Sequence, residues 1–125
     1  MSTTGDLLRR VCEEIEGLFH SWNSISIEES GESELTLSHG RRLIVVNSRF
    51  GTVKSGTSVL TRFDELKSID ITHHRRIRNR PEYWSICFNL NWYSSVPIGR
   101  TLDKTEGSIV GAQLSRYTKK IVRSL

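Results

Sequence analysis

Hydrophobic residues recur over the first 22 positions at the spacing of one helix face. The residues of this face are Leu7, Leu8, Val11, Cys12, Ile15, Leu18, Phe19 and Trp22. Intervals of three, four and seven residues are typical of an amphipathic helix, and Glu13, Glu14 and Glu16 fall on its other side. We therefore predict an N-terminal helix over residues 4–22.

From residue 24 onward the hydrophobic period changes to two, which is the period of a half-buried strand. The clearest alternation covers residues 83–92. Its apolar members are Trp84, Ile86, Phe88, Leu90 and Trp92. Several shorter alternating runs are separated by turns that contain glycine or serine, as antiparallel strands usually are. This pattern predicts six to seven antiparallel strands within residues 24–98.

A second helical stripe lies in the C-terminal part of the chain. Its apolar residues are Val110, Leu114, Tyr117 and Ile121. Asp103 stands where an N-cap is expected. Basic residues such as Arg123 would lie in the last turns, where the helix dipole favours cations. We predict a C-terminal helix over residues 103–124.

The order of helix, strands and helix predicts an α+β fold. The strands would form a strongly bent antiparallel sheet or a partly open barrel, with the helices packed on one face or end. The chain has 125 residues, which is within the usual size of one domain. We therefore predict a single domain over residues 1–125.

One segment resembles a known family. Residues 62–69 read Arg-Phe-Asp-Glu-Leu-Lys-Ser-Ile. In this segment one apolar and two acidic residues precede the next predicted strand. This segment is followed, in order, by an apolar strand over 84–90, a short strand over 96–98 and the capped helix. This arrangement resembles the bacterial pleckstrin-homology-like domains over roughly residues 24–124. The resemblance implies a curved sheet closed by a C-terminal helix, used for binding, and no catalytic residues to transfer.

Two features depart from that family. The predicted N-terminal helix is additional to the basic layout. The first predicted hairpin is acidic, whereas members that bind phosphoinositides usually carry lysine and arginine there. The acidic residues of this hairpin are Glu28, Glu29, Glu32 and Glu34. Because these side chains would repel anionic headgroups, we do not expect membrane lipid as a ligand.

A basic segment precedes the clearest strand. It contains His74 and four arginines within six positions: Arg75, Arg76, Arg78 and Arg80. Guanidinium groups bind phosphate and carboxylate oxygens bidentately, so this segment is a candidate site for nucleic acid, another polyanion or an acidic protein. The alternative is a solvated hairpin tip that keeps a sheet edge soluble. Arg41, Arg42 and Lys54 are candidates to join it in space.

The predicted N-terminal helix is a candidate interface. The apolar residues that would form it are Leu8, Ile15, Phe19 and Trp22. Because a large apolar face is rarely left in water, this face either closes the sheet or binds a protein partner or a second copy of the chain.

Charge is distributed unevenly along the chain, whose net charge is +4. Residues 1–40 carry eight acidic side chains against two arginines, whereas the remaining residues are strongly basic. This asymmetry indicates an acidic partner or head-to-tail self-association, unless the two regions lie side by side and cancel.

Motifs for chemistry are missing from the sequence. It has no nucleophile elbow, phosphate-binding glycine loop or dinucleotide fingerprint. His73 and His74 would point to opposite faces of a strand and could not share a metal ion. The two cysteines suit a reducing compartment. We therefore predict a cytoplasmic, non-catalytic binding module without cofactor or metal. Its ligand would be a protein partner or the chain itself, with nucleic acid or another polyanion as the alternative.

Overall fold

A computed structural model describes residues 24–90 and 94–125. These residues form nine strands and one α-helix, arranged as two largely antiparallel sheets, which confirms the α+β class. The predicted helix over residues 4–22 lies outside the described residues. The same holds for its candidate interface residues Leu8, Ile15, Phe19 and Trp22.

The first sheet contains five strands that pair in chain order. They are β1 (Ser26–Ser30), β2 (Glu34–His39), β3 (Arg42–Asn47), β4 (Thr52–Ser55) and β5 (Ser58–Arg62). Every neighbouring pair is antiparallel. The β2–β3 turn depends on Gly40, whose φ of 66° is accessible to glycine without a steric penalty.

The second sheet follows a short 3₁₀ turn at Phe63–Glu65. Its elements in chain order are β6 (Leu66–His74), β7 (Tyr83–Leu90), β8 (Ser95–Thr101), the helix α1 (Lys104–Thr118) and β9 (Val122–Ser124). The spatial order is β8-β7-β6-β9, and β9 runs parallel to β6. The prediction of six to seven strands ending near residue 98 was therefore too low in number, and the strand region extends to Thr101 before α1.

The two sheets meet at the beginning of β1 and at the β2–β3 turn. The backbone N–H of Ile25 donates to the carbonyl of Arg100 on β8 at 3.0 Å, and the guanidinium of Arg42 donates to the carbonyl of Pro97 at 3.0 Å. Within residues 24–90 and 94–125 the strands form two separate sheets and no closed barrel.

Helix α1 packs against the inner faces of both sheets. Val110, Leu114 and Tyr117 are buried, in agreement with the predicted stripe, and they join the apolar residues of β2, β3, β6 and β7 in one core. Asp103 is the N-cap as predicted, because its side chain accepts a hydrogen bond from the N–H of Thr105. At the other end of α1, the Tyr117 hydroxyl donates to the carbonyl of Gly31.

The predicted C-terminal end of the helix was wrong. The helix ends at Thr118, because Lys119 adopts a left-handed conformation with φ of 64°. Residues Val122–Ser124 then form β9, so Ile121 is 65% exposed and does not belong to the helical stripe. The edge of β6 offers backbone hydrogen bonds to this segment, and tertiary pairing overrides its helical pattern. Arg123 binds Asp70 of β6 and not the end of a helix.

Replacing Gly99 by alanine should destabilise the protein. A Cβ atom at this position would lie 2.9 Å from Cδ1 and 3.0 Å from Cβ of the buried Ile25, and so force the joint between the sheets apart. We expect the free energy of unfolding to fall by about 1–3 kcal/mol, measured by urea denaturation. Gly107→Ala is the control, because its Cβ would meet no atom closer than 3.4 Å and alanine favours a helix. Equal losses in both variants would contradict the packing argument.

The Asp70–Arg123 ion pair should stabilise the protein only at pH values at which the Asp70 carboxyl group is ionised. Its two hydrogen bonds, at 2.9 and 2.7 Å, hold the pKa of Asp70 below its usual value. Stability from such a pair is present above the unfolded-state pKa, about 3.9, and is lost as the pH falls through the lower folded-state pKa.

We therefore expect Asp70→Asn to lower the free energy of unfolding by about 1–3 kcal/mol at pH 7. The difference from the wild type should shrink as the pH falls below about 4. Urea denaturation at several pH values measures this, with the exposed Asp64→Asn as the control. A difference that does not change with pH would show that the ion pair is not its cause.

Candidate functional site

The alternation along β7 separates a core face from an outer face. Ile86 and Phe88 are fully buried, as predicted for the apolar side of this strand. The intervening residues, Tyr83, Ser85 and Cys87, line a cleft on the other side of the sheet. The period of two that predicts this strand therefore also determines which side chains can reach a ligand.

The arginine hairpin, residues 75–80, connects β6 to β7. Two reciprocal backbone hydrogen bonds of 3.0 Å join Ile77 and Arg80, so Arg78 and Asn79 form a two-residue tip. Arg75, Arg76 and Arg78 are exposed to solvent. Three of the predicted arginines are thus presented on a hydrogen-bonded projection.

The fourth predicted arginine has a structural role. The guanidinium of Arg80 donates to the carbonyl of Arg75 at 3.1 Å and lies 4.9 Å from the centre of the Tyr83 ring. These contacts brace the hairpin against β7. Arg80 therefore supports the other three arginines and is less available to a ligand than they are.

His73 and His74 face opposite sides of the sheet, as the sequence predicts. His73 pairs with Glu82 at 2.5 Å and stacks on Trp84, with 5.0 Å between ring centres. His74 bonds the Ser85 hydroxyl at 2.8 Å and stacks on Tyr83 at 4.2 Å. Each histidine thus belongs to a separate surface.

The surface on the His74 side is a cleft of about 340 Å³, which we call the basic cleft. Its lining residues are His39, Arg42, His74, Tyr83, Ser85, Cys87, Pro97, Ile98, Gly99 and Arg100. They come from the β2–β3 turn of the first sheet and from three strands of the second. Among these described lining residues there is no carboxylate, and the permanently charged side chains are Arg42 and Arg100.

The histidines of the basic cleft are biased toward the neutral form. Burial lowers the pKa of His39, and the positive charges of Arg100 and Arg42 lower it further. Burial also lowers the pKa of His74, with smaller contributions from Arg80 and His73. Both rings are therefore uncharged at neutral pH, and the two arginines supply the positive charge of the cleft.

Three side chains of the basic cleft belong to types that can take part in catalysis: Ser85, His74 and Cys87. Burial raises the pKa of the Cys87 thiol, with a smaller contribution from Asp70, so the thiol is protonated at neutral pH and is a weak nucleophile. Ser85 and His74 resemble a nucleophile and its base. Across the described residues, however, no carboxylate is hydrogen-bonded to His74 to orient its ring, as a triad requires.

The structure brings together residues that the sequence did not group. Arg42 joins His74 at the basic cleft, as one of the predicted possibilities, whereas Lys54 pairs with Val45 and Val59 within the first sheet. His39, Ser85 and Arg100 were not predicted as site residues. The only local signal was the His39-Gly40 turn next to two arginines, because Arg100 lies far away in the sequence.

The sequence matches no known family model, and searches of curated proteins and of solved structures also found no match. Within the described ranges there is no cluster of three or more His, Cys, Asp or Glu side chains arranged to hold a metal ion. The described part of the chain also has no helix that is both long and apolar enough to cross a membrane.

The electrostatics of the basic cleft can be tested by titrating His39. Arg42→Gln should raise the pKa of His39, because it removes a positive charge that disfavours the imidazolium. NMR titration of the ring protons measures the shift. Arg78→Gln, which removes the same charge from the hairpin tip, is the matched control and should leave the pKa of His39 almost unchanged. An equal response to both variants would contradict the local origin of the effect.

Proposed function

We propose that this chain is a non-catalytic interaction module of pleckstrin-homology-like type, whose arginine hairpin binds an acidic surface of a protein. The exposure of Arg75, Arg76 and Arg78 on a braced hairpin carries the proposal. Exposed guanidinium groups bind carboxylates with directional, charge-assisted hydrogen bonds. The observation that supports a pleckstrin-homology-like scaffold is the arrangement of two largely antiparallel sheets on a helix that follows the last antiparallel strand.

A second copy of the chain is a suitable partner because the acidic turn and the arginine hairpin lie toward opposite ends of α1. The acidic turn, residues 28–34, contains four exposed glutamates. Tyr117, near the end of α1, contacts this turn through Gly31. Lys104, at the start of α1, lines a groove with His73 and Glu82, which flank the arginine hairpin.

The length of α1 separates these two ends by about 20 Å, at 1.5 Å per residue between Lys104 and Tyr117. This separation exceeds the screening length of about 8 Å at physiological salt. The acidic turn and the arginine hairpin therefore do not neutralise each other, and each can bind a partner of opposite charge.

Nucleic acid is the second candidate, because exposed arginines also bind phosphates. A protein is favoured because binders of single strands usually add aromatic platforms for the bases. The two aromatic residues that follow the hairpin already have ring partners, since Tyr83 stacks with His74 and Trp84 with His73. A cytoplasmic location belongs to this proposal, because Cys87 is a free thiol.

Analytical ultracentrifugation at several salt concentrations tests the proposal. We expect self-association at low salt that weakens as salt is added, because it depends on exposed charges. The triple variant R75Q/R76Q/R78Q should weaken it at least about tenfold, and E29Q/E32Q in the acidic turn should weaken it as well. The control R49Q/K54Q/R62Q removes three exposed charges from the first sheet and should retain association.

Fluorescence anisotropy with a glutamate-rich peptide and with a mixed-sequence oligonucleotide separates the remaining partners. Binding of the peptide without self-association would identify a different acidic protein as partner. Binding of the oligonucleotide alone, lost in R75Q/R76Q/R78Q, would favour the nucleic-acid function. If the hairpin variant and the control behaved alike in every assay, the arginine hairpin would be no more than a solvated tip.

A further inference from the structure

We propose that the basic cleft is a second, separate binding site that takes a tetrahedral phosphate group, either as inorganic phosphate or as a phosphate monoester. The proposal does not depend on the partner of the arginine hairpin. It rests on the cleft between the sheets and on the basic side chains that line it.

The number and origin of the donors favour a tetrahedral anion. Arg42 approaches from the first sheet, whereas His74 and Arg100 belong to β6 and β8 of the second. The Ser85 hydroxyl, on β7 between these two strands, lies 2.8 Å from His74 Nε2, and it can donate to an anion when Nε2–H donates to Ser85. Groups that line a cleft from several sides can serve the several oxygens of phosphate, whereas a carboxylate presents two oxygens in one plane.

The arginines that line the cleft are suited to an anionic ligand. Arg42 and Arg100 are cations at neutral pH, and no carboxylate is found among the described lining residues. Arg42 is also fixed in position, because its guanidinium already donates to the Pro97 carbonyl. A phosphate monoester carries a charge of about −1.5 to −2 at pH 7, and guanidinium groups bind such a group with charge-assisted hydrogen bonds.

The site differs in place and construction from the arginine hairpin. The hairpin presents arginines to solvent, whereas Arg42 and Arg100 are partly buried beside a defined volume of about 340 Å³. That volume exceeds a single phosphate, so the cleft also has space for the organic part of an ester. The site is also distant from the acidic turn, since β2 runs from Glu34 in that turn to His39 in the cleft.

Isothermal titration calorimetry of the full chain with inorganic phosphate is the primary test, with NMR of the histidine ring protons to locate the site. We expect saturable binding that shifts the His39 and His74 signals. Arg42→Gln should weaken it about tenfold or more, because it removes a charge-assisted contact. Arg78→Gln is the control for lost charge and should change the affinity less than about twofold.

Two further variants keep the test valid if Arg42→Gln disturbs the contact with Pro97. Ser85→Ala and His39→Ala each remove one polar side chain of the cleft without touching that contact, and each should weaken phosphate binding. A variant enters the comparison only if its thermal unfolding midpoint matches that of the wild type. Unchanged affinity in these folded variants would overturn the proposal.

Ligand comparisons identify the chemistry and its source. Succinate should bind at least about tenfold more weakly than phosphate, because each of its carboxylates offers only two coplanar oxygens to donors that approach from several sides. Tighter binding of O-phosphoserine than of inorganic phosphate would identify an ester as ligand, and the reverse would identify free phosphate. Equal affinity for succinate and phosphate, or equal losses in Arg42→Gln and Arg78→Gln, would exclude a phosphate site. Failure of the hairpin assays would leave these results unaffected.

Discussion

The burial of two apolar sheet faces against one helix is the constraint on which the rest of the structure depends. A sheet with one apolar face must cover that face, and α1 does so for both sheets through Val110 and Leu114. Because side chains alternate along a strand, the burial of one face of β7 leaves Tyr83, Ser85 and Cys87 on the opposite face. The polar surface of the second sheet is therefore a consequence of how its core is packed.

The joint between the sheets turns that polar surface into a cleft. Ile25 lies against Gly99, where only a hydrogen atom fits, and the backbone of Ile25 bonds β8. The same joint brings the β2–β3 turn close enough for Arg42 to reach the Pro97 carbonyl. Tight packing at one small residue thus places basic side chains from both sheets around a single space.

The sequence pattern correctly predicted those elements whose structure depends on residues that are close together in the sequence. The alternation over β7, the buried side of α1 and the Asp103 cap all appear in the structure because each depends on nearby residues. The end of α1 was not predictable in this way. The pattern of residues 119–124 is typical of a helix, but residues 122–124 pair with the edge of β6. Nothing in the local sequence indicates that this edge is available for pairing. The basic cleft was missed for the same reason, since His39, Ser85 and Arg100 meet only in the folded chain.

The parallel pairing of β9 covers one edge of β6 in the second sheet. β9 is three residues long, and its ion pair joins side chains that are 53 positions apart in the sequence. Backbone hydrogen bonds of 2.8–3.0 Å also join the segment around β9 to Ile69, Ile71 and His73 of β6. Its detachment would uncover the hydrogen-bonding edge of β6 next to the apolar residues Ile69 and Ile71. Unpaired edges of this kind can recruit strands from other molecules, so the pairing with β9 moves the open edge of the sheet from the long, buried β6 to a strand of three residues.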